Sequence, residues 1–246
     1  MSITSGQQAT VGDPAVVPQK LPRLEAGDRL DQPTFHARYE AMPSGTRAEL
    51  IEGYVHMPSP TRPQHGATHI EVVRWMLPFQ EASPGVTLCI DTTFIMGKKY
   101  EVQPDVAGVL AAEYGGQVHL EEYFHGAPEL SVEVALTTES YDLHSKLRIY
   151  EASGVLEYVV VALWQSEVFW FVNRHGKLER LAPGADGILR SEVFPGLWLD
   201  PVALLARDFR RVLEVARLGI ASPEHQAWIE RLKAVKAIHD KQKGSP

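Results

Sequence analysis

Three residues in the middle third of the chain could do chemistry together. They are Asp105 in Gln103-Pro104-Asp105-Val106, Glu133 in Leu130-Ser131-Val132-Glu133-Val134, and Lys146 on the helix-like stretch that follows. Two carboxylates supply hard oxygen ligands to a divalent cation such as Mg²⁺, which keeps several waters and completes its shell from a substrate phosphate. A lysine beside them can position the attacking water or stabilise the charge that develops. The trio therefore points to metal-dependent phosphodiester hydrolysis with Mg²⁺ or Mn²⁺. Each member alone has a plainer reading. Pro-Asp is common at strand starts, and a Glu between valines is often an exposed residue on a half-buried strand. Asp142 and Lys146, four apart on one helix, would make a surface ion pair worth roughly 0.2–0.5 kcal/mol.

The elements that must position the trio follow from the pattern around it. In Leu130–Leu136 the alternation puts Leu130, Val132, Val134 and Leu136 on one face and Glu133 on the other, away from the apolar layer. Pro104 cannot donate to a strand ladder, so Asp105 reads as a strand start at a sheet end where ligands approach. A helix over Asp142–Ser153 ends at Gly154, the position that favours a left-handed cap. Val155–Leu163 is nearly all apolar and β-branched, as in a strand buried on both faces. Upstream, the spacing predicts a short helix over Asp31–Met42 with Thr34 as N-cap, a two-residue hairpin turn at Glu52-Gly53, a helix over Gln64–Gln80 and one extended segment over Thr87–Met96. Downstream come a hairpin around His175-Gly176 and two helical pieces beyond Pro195-Gly196, the second over Pro223–Lys241.

The 246 residues, 44% of them hydrophobic, suffice for a sizeable core. Cys89 is the single cysteine, which excludes an intramolecular disulfide and Cys-based zinc sites and fits a reducing compartment, the cytoplasm. No stretch approaches the run of roughly 18 apolar residues that a spanning helix needs. The net charge of −7 argues against a general nucleic-acid coat protein but not against a nuclease. Charge is uneven: residues 201–246 carry nine Lys/Arg against five Asp/Glu, a balance of +4 that leaves −11 for residues 1–200.

In order along the chain, Ala48-Glu49-Leu50-Ile51-Glu52-Gly53, Met57-Pro58-Ser59-Pro60, His65, Pro104-Asp105-Val106, Val132-Glu133-Val134, Asp142, Lys146, Tyr150, Gly154-Val155 and Glu157-Tyr158 resemble the Uma2 family of candidate restriction endonucleases over about residues 30–200. That family is placed in the PD-(D/E)XK nuclease superfamily, whose core is a mixed sheet flanked by helices and whose site binds Mg²⁺. The resemblance implies Asp105 and Glu133 as metal ligands, Lys146 as the catalytic lysine moved onto the next helix, Glu49 as the early glutamate and His65 as the early histidine. The chain departs from the pattern at Ala135, where the superfamily lysine usually stands, at Leu136 in place of a serine, and at Val159 and Ala162.

Other signals are thinner. His65 and His69 have zinc-ligand spacing, but the Glu that a metalloprotease motif puts after the first histidine is missing. No Walker-type phosphate loop and no Gly-x-Ser-x-Gly elbow is present. Trp164, Phe169, Trp170 and Phe171 read as core or dimer surface rather than a base-stacking platform. The expectation is an α/β PD-(D/E)XK-like mixed sheet with three parts: a disordered segment at 1–20, a nuclease-like domain at 21–200 and a helical extension at 201–246. It would act as a Mg²⁺- or Mn²⁺-dependent endonuclease on DNA, as a homodimer without membrane association. The rival reading is a nuclease fold that has lost turnover and serves as a nucleic-acid or protein binding module.

Overall fold

The computed structural model describes residues 21–58, 60–136 and 139–244; the segment 1–20, expected to be disordered, lies outside them. Helix α1 (Gln32–Glu40) is capped by Asp31, whose carboxylate accepts from the Thr34 N–H at 3.0 Å, so Thr34 is not the N-cap but the residue whose N–H the cap satisfies. Strands β1 (Glu49–Ile51) and β2 (Tyr54–His56) form the expected hairpin, with Glu52 and Gly53 at φ 55° and 82° as a primed turn requires. Then follow α2 (Pro63–Ala82), β3 (Val86–Ile90), β4 (Phe94–Ile95), β5 (Glu101–Val102), β6 (Val106–Leu110), β7 (His119–Leu120), β8 (Phe124–His125) and β9 (Leu130–Ala135). The single extended segment expected over Thr87–Met96 is instead two strands in different sheets. Asp91, at φ 48°, turns the chain between them.

Helix α3 (Glu139–Tyr141) runs through a π-helical turn at Asp142–Lys146 into α4 (Leu147–Ser153), which Gly154 closes at φ 86°. Strands β10 (Glu157–Ala162), β11 (Glu167–Arg174) and β12 (Lys177–Arg180) complete the main sheet, and a small hairpin of β13 (Leu189–Arg190) and β14 (Trp198–Leu199) precedes helices α5 (Pro201–Leu205), α6 (Phe209–Ile220) and α7 (Pro223–Lys243).

The main sheet has the order β12-β11-β10-β9-β6-β3 and is mixed: β9 and β10 are parallel, and the other pairings are antiparallel. Its two faces are covered differently. Leu130, Val132, Val134, Val159 and Val161 pack with Val72, Trp75 and Phe79 of α2 and with Leu204, Val212, Ala216 and Trp228 of the C-terminal helices. Trp170 belongs to this layer, edge-on to Trp75 at 5.7 Å. Ala135, Tyr158 and Val160, on the opposite face, meet Ile149 and Tyr150 of α4 and residues of a second mixed sheet, β2-β1-β5-β4-β8-β7. The face that carries Glu133 was expected to lie away from the apolar layer, but it is covered by a second one, and all six residues of β9 are buried. Burying each such large apolar side chain stabilises by about 1.5–3 kcal/mol, so both layers fix β9 strongly in register. The fold is α/β, a mixed sheet flanked by helices with a helical C-terminal region.

Candidate active site

The register places the two acids side by side. Val106 of β6 pairs with Val132 of β9 in an antiparallel ladder, so one step along it Asp105 stands opposite Glu133. Asp105 Oδ2 accepts the Val134 N–H at 2.8 Å and lies 3.2 Å from His65 Nε2. The Asp105 carbonyl accepts from His69 Nε2 at 2.7 Å and from the Asp91 N–H at 3.3 Å. Helix α2 thus delivers His65 and His69, one turn apart, to the two ends of one aspartate. They do not converge on a point as a zinc pair would.

The π-helical turn delivers Lys146, and such turns collect at functional sites because they re-aim side chains that a regular helix would place elsewhere. Lys146 Nζ lies 2.7 Å from Glu133 Oε1 and 3.5 Å from Glu49 Oε2. The same Glu133 oxygen accepts the Tyr150 hydroxyl at 2.8 Å. Glu49 Oε1 accepts the Gln103 N–H at 2.8 Å, which ties β1 to the approach of Asp105. Asp142 and Lys146 are both buried, at 3% and 6% exposure, so the surface ion pair read from their spacing does not exist as such. Arg47, adjacent in sequence to the Glu49 hairpin, pairs with Asp91 rather than with Glu49.

Glu49, His65, Asp105, Glu133, Asp142 and Lys146 line one cleft of about 580 Å³, with Arg47, Arg62, Gln103 and Tyr141 around them. All five residues singled out in the sequence, Asp105, Glu133, Lys146, Glu49 and His65, are brought together here.

Electrostatics follow from burying four carboxyls around one ammonium. Burial opposes the charged form of Lys146, but Glu133, Glu49 and Asp142 surround it and hold its pKa well above the usual lysine value. Burial raises Glu133 well above the usual carboxyl range; Lys146 pulls it down, while Asp105, Asp142 and Glu49 push it further up. Asp105 is also penalised by burial, yet the His65 hydrogen bond and charge, the Val134 N–H and Lys146 outweigh that and lower it. In return, the hydrogen bond to Asp105 raises His65 despite its partial burial. Asp105 and Lys146 thus hold their charges while burial favours the proton on Glu133, and a divalent cation at the two carboxyls would favour the ionised form of both.

The donor set fits a hard cation: carboxylate oxygens from neighbouring strands, with a further group of His69, Asp91 and Asp105 whose ligand-type atoms lie within 4.8 Å of one another. In that second group Arg47 pairs with Asp91, and His69 already serves the Asp105 carbonyl. Asp105 and Glu133 are also engaged, through Asp105 Oδ2 and Glu133 Oε1, and Asp105 is common to both groups. Asp91 was missed in the sequence because it reads as part of the one extended segment over Thr87–Met96. Tyr150 figured in the family-like pattern, but no spacing rule assigns its hydroxyl to Glu133.

Comparisons with known proteins bear on the family and the fold. The sequence profile of the Uma2 family, described as "Putative restriction endonuclease", matches residues 33–204. No curated protein matches. Among solved structures, a crystal structure titled as a "putative nuclease belonging to DUF820" from Anabaena variabilis superposes with a TM-score of 0.53 at 15% identity, covering 69% of this chain and 97% of that one. At that identity the likeness speaks for the fold alone.

Proposed function

The chain belongs to the Uma2 family, and from that premise we propose that it is a Mg²⁺- or Mn²⁺-dependent endonuclease that hydrolyses phosphodiester bonds of DNA. The observation that carries the proposal is the excess of buried carboxylate over ammonium in one open cleft: Glu49, Asp105, Glu133 and Asp142 around Lys146. Such an excess is costly in a merely structural core, where buried charges are paired one to one.

Asp105 and Glu133 would hold the cation, which when bound supplies a Lewis acid for the phosphate and a more acidic water. The chain's own residues account for the rest. His65 and the Val134 N–H fix Asp105 through Oδ2, and neither bond uses Oδ1. Lys146 holds a positive charge at Glu133 and Glu49, placed to meet the negative charge that builds up on the phosphate. Arg62, exposed at the start of α2 on the rim of the cleft, would offer charge to a flanking phosphate. Cutting both strands of a duplex calls for two clefts, so the proposal includes a homodimer. Among the described residues no helix is long and apolar enough to cross a membrane.

The test is incubation of supercoiled plasmid, single-stranded DNA and RNA with the protein and Mg²⁺, Mn²⁺ or EDTA. Nicking or linearisation of DNA with either metal, abolished by EDTA and by Glu133→Gln, is expected. Binding without cleavage under every metal condition would favour the rival reading, a nuclease fold without turnover, to which the close engagement of Lys146 and the departures at Ala135 and Leu136 lend some support.

A further inference from the structure

Glu133 Oε1 carries two buried donors. Lys146 Nζ stands at 2.7 Å and the Tyr150 hydroxyl at 2.8 Å. Among the described residues Oε2 receives no hydrogen bond, and Glu133 lines the cleft. Tyr150 is completely buried, 4.6 Å ring to ring from Tyr158, so neither its ring nor its hydroxyl is free to swing away. The Tyr158 hydroxyl bonds the Asp142 carbonyl at 3.1 Å and does not reach Glu133. A phenylalanine at 150 would fill the same space. What the tyrosine adds is one donor aimed at one oxygen of one candidate ligand.

The geometry points to Tyr150 as a positioning residue that, with Lys146, reserves Oε1 of Glu133 and leaves Oε2 as the single oxygen offered to a divalent cation. This rests on the reading of Asp105 and Glu133 as cation ligands. With two donors on Oε1, Glu133 would offer a divalent cation Oε2 alone, as a ligand through one oxygen beside Asp105. Partners that orient ligands in this way typically change metal affinity by roughly 10–100-fold when removed.

The experiment is calorimetric titration with Mn²⁺ of the full chain, Tyr150→Phe and Tyr158→Phe, with metal-free melting curves for all three and the infrared carboxylate bands before and after Mn²⁺. Tyr150→Phe is expected to bind Mn²⁺ roughly 10–100-fold more weakly and to change the Mn²⁺-induced carboxylate shift. Tyr158→Phe, which loses a buried hydroxyl of comparable setting, is expected to match the unaltered chain in both. Unchanged affinity in Tyr150→Phe, or equal losses in both variants, overturns the assignment while leaving the metal site standing. No Mn²⁺ binding by the unaltered chain overturns the metal site and this assignment with it. Should Tyr150→Phe fail to fold, the unaltered chain crystallised with Mn²⁺ decides: metal on Oε2 supports the role, and metal on Oε1 overturns it.

Discussion

Lys146 Nζ lies 2.7 Å from Glu133 Oε1, with both side chains buried. The lysine is therefore as much a part of the folded core as of the site. An exposed pair with Asp142 would contribute only roughly 0.2–0.5 kcal/mol, but an ammonium enclosed with Glu133, Glu49 and Asp142 cannot be removed at so small a cost.

Lys146→Met is expected to destabilise the protein by about 3–5 kcal/mol at pH 8, the usual cost of breaking a buried pair and leaving one charge uncompensated. Burial already raises the Glu133 pKa, and losing Lys146 raises it further. A group whose folded pKa exceeds its unfolded one loses stability as pH rises between the two, so the penalty should shrink toward pH 5. Urea denaturation at both pH values reads this, and Lys146→Met with Glu133→Gln should recover most of the loss. A pH-independent penalty would contradict the pairing.

His65 shares Asp105 with any bound cation. Its pKa lies above its ordinary 6.5 because Asp105 favours the imidazolium. In metal-free protein that stabilisation is present below the unfolded pKa and fades as pH rises through the folded one. The imidazolium and a divalent cation compete for the same carboxylate. Mn²⁺ affinity should therefore fall as pH drops through the His65 titration, and His65→Gln should flatten the dependence. Calorimetry across pH 5.5–8.5 checks it; equal slopes in both proteins would remove His65 from the site.

Glu157 gives a control outside the cleft. Burial raises its pKa to about 7, against hydrogen bonds from the Ser191 hydroxyl and the Glu192 and Val193 N–H groups, at 2.6, 2.7 and 3.2 Å. Between its unfolded value near 4.5 and about 7 the native state holds the extra proton, so this group's contribution falls as pH rises across that window and is level above it. Relative to the unaltered chain, Glu157→Gln should gain stability over that window, by up to roughly 3 kcal/mol, with any nuclease rate unchanged. A constant difference in stability would show that Glu157 stays ionised throughout.

Much of this was legible in the sequence because it depends on local rules. Period-two alternation marked β9, β-branched content marked β10, and Glu52-Gly53 and His175-Gly176 marked their turns. Strand starts and strand faces made the two acids candidates, and the ordered resemblance to the Uma2 family is what assigned roles to them and to Lys146. What escaped depends on contacts between distant segments. Alternation gave Glu133 a face but could not say that α4 and a second sheet would cover it. An i,i+4 spacing suggested Asp142 and Lys146 on one exposed face, whereas the π-helical turn, which spacing cannot reveal, sends both inward. The break at Asp91 was hidden because the apolar residues on either side read as one continuous strand. Strands β7, β8, β13 and β14, of two residues each, are too short to carry a period.

The central claim is that Asp105 and Glu133 hold one divalent cation together, and the most direct measurement is the anomalous difference density of crystals grown with Mn²⁺. The expected result is one strong peak bonded to oxygens of both Asp105 and Glu133, absent in Glu133→Gln. A peak confined to His69 and Asp91, or crystals saturated with Mn²⁺ that show no peak in the cleft, would contradict it.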